Sequence, residues 1–174
     1  VYKYTDKKIK ESQVCKPINY YGYTKYLAEK YLISKKDMNI CIGRIFSFSS
    51  KSQKGNFFIP SVIKKLQDKK KNIVEFDNVN HERDFLKIEE IVKAIKILYI
   101  KRKKGIFNIC SSKKVKLNDI IIELNRYFKK KILIKSKNKK NLKLIGDNKK
   151  IMKLGWKIRN NNYLEKLNKI FLKT

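Results

Sequence analysis

The sequence is short of the residues that bend, staple or punctuate a chain. Its 174 residues include six glycines, two prolines and three cysteines, and alanine appears only twice. Cys15, Cys41 and Cys110 are odd in number and far apart. That excludes a disulfide framework and a cysteine zinc site, suits a reducing compartment, and makes the cytoplasm the expected location. The glycines stand at 22, 43, 55, 105, 146 and 155, no two closer than nine residues. A G-x-x-G-x-x-G phosphate loop therefore does not occur within these residues. No apolar run approaches the roughly 18 residues of a membrane span, so no membrane partner is expected. The N-terminus, Val1-Tyr2-Lys3-Tyr4-Thr5-Asp6, carries neither an apolar signal core nor an initiator methionine. It reads as a start inside a longer protein.

Acidic residues are scarce too. There are 15 Asp and Glu against 45 Lys and Arg, a formal net charge of +30. Hydrophobic residues still make up 42%, enough to build a core despite 34% charged residues. The charge has two readings. One is a nucleic-acid or anionic surface, which makes a non-catalytic basic binding module the alternative function. The other is drift of surface positions toward lysine. Of the basic residues 40 are Lys and 5 are Arg, beside 25 Ile and 16 Asn, all favoured by A/T-rich codons apart from Arg. Dedicated phosphate readers lean on the bidentate fork of arginine. Here lysine is spread through every segment and not gathered with aromatics in one block. Drift is the preferred reading, and nucleic acid is not an expected partner.

Along the chain, strand-like and helix-like segments alternate. Residues 19–36 carry Tyr20, Tyr23, Leu27, Tyr31 and Ser34 at helical spacing. A short apolar run at 39–46 reads as a buried parallel strand, and 47–55 as a polar loop. A helix is expected at 57–66 with Pro60 in its first turn, then a strand at 72–76. Residues 83–88 alternate like a strand and lead into a helix at 89–99 with Ile91, Ile95 and Leu98 on one stripe. Further strands are expected at 105–110 and 131–134. A helix at 120–128 is expected to be capped by Asn118 or Asp119. Residues 135–143 read as a solvated lysine-rich loop, 147–154 as a short helix ended by Gly155, and 163–172 as a last helix. The expected fold class is α/β with parallel pairing.

The segment with chemistry in it is Tyr21-Gly22-Tyr23-Thr24-Lys25. Residues four apart on a helix point the same way. A phenol with a pKa near 10 is a poor base at neutral pH, and an ammonium held beside it favours the phenolate. Such a pair can move a proton on or off a carbinol. Tyr-x-x-x-Lys alone arises readily by chance in so Tyr- and Lys-rich a chain, so its surroundings matter.

Those surroundings resemble one family. Pro17, the Tyr21-to-Lys25 segment and Glu29 resemble the active-site helix of extended short-chain dehydrogenases, the NAD-dependent epimerase/dehydratase family. Gly43-Arg44-Ile45-Phe46-Ser47 is similar to the strand that follows it, and Ile59-Pro60 to the next helix. Arg83-Asp84-Phe85-Leu86-Lys87-Ile88-Glu89-Glu90-Ile91, Gly105-Ile106-Phe107-Asn108-Ile109, and Gly146-Asp147 with Lys149 and Leu154-Gly155-Trp156 resemble its later blocks, in family order.

The resemblance implies the C-terminal part of a Rossmann-type NAD(P)-binding fold plus the smaller α/β substrate-binding domain. Residues 1–50 would belong to the cofactor domain. Residues 51–174 would be mainly substrate domain, with segments returning to the cofactor domain near 83–110. It implies NAD or NADP as cofactor, a nucleotide-sugar substrate, and a homodimer of the complete protein. Tyr21 would be the general acid/base, and Lys25 would bond the nicotinamide ribose and tune Tyr21. Ser47 takes the place of the usual Asn beside substrate and nicotinamide. Arg83 would contact the substrate diphosphate, the competing reading being an ion pair with Asp84 or Glu82. Phe85 replaces a frequent Tyr. Arg44 and Trp156 are read as structural, and His81 as a solvated loop residue. The glycine-rich loop and the catalytic Ser or Thr would precede Val1. The chain alone is therefore expected to be inactive, with exposed apolar edges and a tendency to aggregate.

Overall fold

The computed structural model describes residues 1–53, 57–77, 79–135, 141–159, 162–167 and 171. In chain order the elements are α1 (Tyr20–Ser34), β1 (Cys41–Ile45), β2 (Ser47–Ser49), α2 (Phe58–Gln67), β3 (Ile73–Asp77), β4 (Glu82–Arg83) and β5 (Phe85–Lys87). They continue with α3 (Ile88–Ile100), β6 (Gly105–Ile109), β7 (Val115–Lys116), α4 (Leu117–Phe128), β8 (Lys131–Lys135), β9 (Lys143–Leu144), α5 (Lys149–Met152) and a 3-10 turn at Leu164–Lys166.

Parallel pairing dominates. β1 runs beside β6 with Arg44 opposite Asn108, β2 beside β5, and β3 beside β8. The exception is β4, which is antiparallel to β7 and parallel to β9. Two apolar clusters organise these pairs. One gathers α2, β3 and α4 around Leu66, Phe76, Ile120, Ile121 and Leu124, with Leu167 closing it. The other gathers α3 and β6 around Ile91, Leu98, Phe107, Ile109, Ile151 and Trp156. Phe85 belongs to the first and Leu86 to the second, so the chain passes between clusters at β5.

Several expectations need correction. Residues 83–88 are not one strand, because Asp84 interrupts it and turns its carboxylate inward. Residues 47–49 form β2, since Ser47 finds a backbone partner in Phe85. α4 begins at Leu117, and neither Asn118 nor Asp119 caps it: its cap position is Lys116, without a side-chain bond. The short helix is only Lys149–Met152, followed by a turn in which Gly155 holds φ +89. Of the last helix, a 3-10 turn and Leu167 are seen, and residues 168–170 and 172 lie outside the described residues. Most of the lysine-rich loop, 136–140, also lies outside them.

α1 forms within the expected 19–36. Its aromatic stripe faces solvent, with Tyr20, Tyr23, Leu27 and Tyr31 all exposed. The residues it buries are Gly22 and Glu29. Helical spacing was legible, but the residues that α1 buries are Gly22, beside Asn19 and Pro17, and the charged Glu29, not the apolar stripe.

Candidate active site

α1 starts where Asn19, in extended backbone, accepts the Gly22 amide on its side-chain oxygen at 2.8 Å. That cap satisfies one of the orphan donors of the first turn. Gly22 itself is buried, and a Cβ there would stand 3.1 Å from the same Asn19 oxygen. Replacing Asn19 by alanine is expected to cost about 1 kcal/mol and to fray the turn that carries Tyr21, measurable by urea unfolding.

Between α1, β1 and the N-terminal segment lies a cavity of about 510 Å³. Tyr21 and Lys25 line it together with Tyr2, Tyr4, Gly43 and Phe46. The Lys25 ammonium sits 5.5 Å from the centre of the Tyr21 ring, so the spacing inferred from sequence does bring the pair together. Tyr21 is 70% exposed, which leaves its phenol open to a ligand.

The other two candidates lie elsewhere. Ser47 is in β2, one residue beyond Phe46 and opposite Phe85. Arg83 lies behind the cavity wall. Its guanidinium donates to the carbonyls of Glu82 and Leu142 at 3.0 and 2.9 Å. It also donates to the Tyr4 hydroxyl at 3.3 Å and packs 4.8 Å from the Tyr4 ring centre. Among the described residues it forms no ion pair, which removes the Asp84 and Glu82 reading. Burial lowers its pKa, and the Tyr4 hydroxyl opposes that. His81 is not merely solvated: its Nδ1 accepts the Leu142 amide at 3.2 Å, and burial followed by the Arg83 charge holds its pKa down.

Sequence reasoning left a buried polar array out of account. Arg44 on β1 grips Glu29 on α1 with two donors, its Nε reaching Oε2 at 2.9 Å and its Nη2 reaching Oε1. Its Nη1 donates to the Tyr2 hydroxyl and to the Glu11 carbonyl. Tyr2 in turn donates to Asn108 at 3.0 Å. Burial works against the Arg44 cation, but its bonds to Glu29 and Tyr2 outweigh that and raise its pKa. Burial pushes the Tyr2 phenol up to about 12, against the pull of Arg44. The one available signal was a Glu on α1 and an Arg on the next strand, each in an otherwise lysine-coated chain.

Asp84 is the second omission. It is fully buried and accepts four hydrogen bonds: the Ser111 amide and hydroxyl, the Ser112 amide and the Gly146 amide, at 2.6, 2.6, 2.9 and 3.2 Å. Burial raises its carboxyl pKa, and these donors oppose the rise. Trp156 is packed as expected, buried in the α3–β6 cluster with its indole N–H on the Glu90 carbonyl.

A family model for the NAD dependent epimerase/dehydratase family matches residues 2–110. The chain belongs to that family. Solved structures with the same fold include RMD from Pseudomonas aeruginosa complexed with NADPH, 20% identical, TM-score 0.78, covering 90% of this chain and 57% of that one. A UDP-N-acetylglucosamine 4-epimerase from Methanobrevibacter ruminantium, in complex with UDP-N-acetylmuramic acid, is 20% identical with TM-score 0.78, covering 95% and 56%. A dTDP-glucose 4,6-dehydratase from Bacillus anthracis in complex with NAD is 14% identical with TM-score 0.80, covering 94% and 54%. No curated protein matches the sequence. The chain thus spans between half and two thirds of the length of these structures. Its α/β architecture is that of Rossmann-type epimerases and dehydratases, as expected from sequence.

The epimerase/dehydratase residues here suit one end of a dinucleotide. A phenol and an ammonium on one cavity wall offer hydrogen bonds to a ribose diol. The widely spaced glycines supply no cradle for a pyrophosphate within these residues. Among the described residues no cluster of His, Cys, Asp or Glu could hold a metal, and no helix is long and apolar enough to cross a membrane.

Proposed function

We propose that this chain is the part of an NAD(P)-dependent nucleotide-sugar epimerase, dehydratase or reductase that carries the proton-transfer pair. The observation behind it is the Tyr21–Lys25 pair on one wall of the α1–β1 cavity, in a chain of this family. When bound, the dinucleotide would supply the hydride acceptor for a sugar carbon. Tyr21 takes the hydroxyl proton, and Lys25 binds the ribose and favours the phenolate. Residues 1–50, with the return near 83–110, would form the cofactor side of the site. Residues 51–174 otherwise build the substrate side. Ser47, near the end of the cofactor segment, would lie next to the reacting sugar, and Arg83, where the chain returns, would face the diphosphate. For Arg83 this requires Tyr4 to yield, because the guanidinium is packed against that ring. Solvent-facing aromatics on α1 suit a homodimer contact of the complete protein. No feature of the site favours a basic nucleic-acid module over this reading.

The test is NADH fluorescence titration of the 174-residue chain and its Lys25→Met variant. Weak binding that falls about tenfold in the variant is expected, a loss typical of a hydrogen bond to a charged donor. Equal binding by both would remove Lys25 from the site. Turnover of a nucleotide sugar by the chain alone is not expected, because the fold's phosphate loop is not among these residues.

A further inference from the structure

A helix on a sheet is ordinarily placed by an apolar stripe of its own. α1 buries no apolar side chain: Ala28 and Leu32, which face the cavity, are themselves exposed. Its large apolar side chains, Tyr20, Tyr23, Leu27, Tyr31 and Ile33, are exposed. Its N-terminus is fixed by the Asn19 cap and the close approach at Gly22. Beyond that point the buried side chain is Glu29. Tyr21, Lys25 and Glu29 stand at i, i+4 and i+8, one above another, and all three line the same cavity.

Glu29 is seized by a fork. Both its oxygens are held by Arg44, whose remaining bonds run to Tyr2 and the Glu11 carbonyl. Tyr2 passes the connection to Asn108 on β6, directly opposite Arg44 in register. Asn108 is anchored by its side-chain amide donating to the Ile9 carbonyl at 2.8 Å and by its backbone N–H donating to the Glu11 carboxylate at 2.9 Å. Glu29, Arg44, Tyr2 and Asn108 are each more than nine-tenths buried. A planar bidentate contact fixes orientation as well as distance, which an ammonium or an aliphatic contact does not.

We propose that Glu29 and Arg44 are positioning residues for the Tyr21–Lys25 pair: their fork, not apolar packing, sets where α1 stands over the cavity. Glu29 lies one helical turn beyond Lys25, about 6 Å along the axis. A tilt of the helix at Glu29 displaces the ammonium and the phenol together. The role of the pair in dinucleotide binding rests on the function proposed above; the placement of α1 does not.

The test uses the 174-residue chain and three variants. Glu29→Gln keeps the shape and loses the charge. Arg44→Lys keeps the charge and loses the fork. Glu29→Met/Arg44→Met removes both buried charges and keeps bulk. Amide hydrogen exchange is read by segment, NADH affinity by fluorescence, and overall stability by urea unfolding. In Glu29→Gln, residues 20–34 are expected to exchange at least about tenfold faster while β3 and α4 keep their protection. Arg44→Lys should fall between wild type and Glu29→Gln. The double Met variant should recover the unfolding midpoint, as apolar replacements of buried ion pairs commonly do, without recovering NADH affinity. Unchanged exchange in α1, exchange raised equally in all segments, or affinity restored by the Met pair would each overturn the proposal. Should the double variant not fold, the Gln and Lys arms decide it. If wild type does not bind NADH, the functional reading fails and the exchange arm alone decides the placement.

Discussion

Replacing Asp84 by alanine is expected to lower stability by about 3–5 kcal/mol, a loss reserved for a few mechanisms. The carboxylate receives the amides of Ser111, Ser112 and Gly146 and the Ser111 hydroxyl. Alanine would leave three backbone N–H groups without their acceptor in a fully buried place. Its position multiplies the effect. Asp84 stands between β4 and β5, immediately before Phe85 of one cluster and Leu86 of the other. Its partners follow β6 and β9, so one carboxylate ties together three chain segments. Asparagine is a sharper probe. With its amide turned to the Ser111 side, the Ser111 hydroxyl can rotate to accept, and one backbone N–H is orphaned. Turned the other way, two are. Asp84→Asn should therefore cost about 2 kcal/mol, less than alanine but well above a surface change. Trp156, the sole tryptophan and 2% exposed, reports unfolding by its emission. The alanine variant should melt roughly 10 °C below wild type for a chain of this size. A fall of under about 1 kcal/mol would mean that these bonds do not hold the segments together.

Asp84 also shows where reading the sequence stops short. The extended backbone expected at 83–88 is there, since Arg83 and Phe85–Lys87 lie in strands, but the alternation is not kept: Asp84, Phe85 and Leu86 are all buried. What alternation cannot show is that an Asp between them finds four donors from segments about 27 and 62 positions away, as its bonds to Ser111 and Gly146 do. The α1 helix teaches the same lesson. Its extent was legible from side-chain spacing, and the Tyr21–Lys25 pair from their separation of four. Its inward face was not, because Glu29 is buried only by virtue of Arg44 on another element. Parallel strands such as β1 and β6 were legible because apolar runs bounded by turn residues are local signals, but the burial expected of β1 is not found, since Arg44 is its one buried residue. Arg83 is the mixed case. Its type announced anion chemistry, yet its partners are two carbonyls and the hydroxyl and ring of Tyr4, and nothing near it in sequence points to Tyr4. Local geometry was readable; long-range polar contacts, which decide the faces and the site walls, were not.

Gly146 carries the second large effect, and here the cause is space. A Cβ built there would come within 2.9 Å of the Cys110 Cβ and 2.8 Å of the Phe46 ring, with the Cys110 sulfur nearer still. The backbone cannot retreat. Gly146 donates to Asp84, accepts the Ser112 hydroxyl at 2.8 Å, and is bridged to Ile9, whose carbonyl receives the Asp147 amide at 2.8 Å. Gly146→Ala is thus expected to cost about 2–3 kcal/mol as overpacking, and Gly146→Val more. The two obstructing groups differ. Cys110 is fully buried and has nowhere to go, whereas Phe46 lines the cavity and can turn into it. Cys110→Gly in the alanine background removes both the sulfur and the Cβ that the new methyl meets. A double-mutant cycle should return a favourable coupling of about 1–2 kcal/mol, since the two sites touch. The residual strain falls on Phe46, whose displacement narrows the space beside Tyr21 and Lys25. The doubly substituted chain should therefore regain stability before it regains NADH affinity. Strictly additive costs in the cycle would show that Cys110 is not what excludes a side chain at position 146.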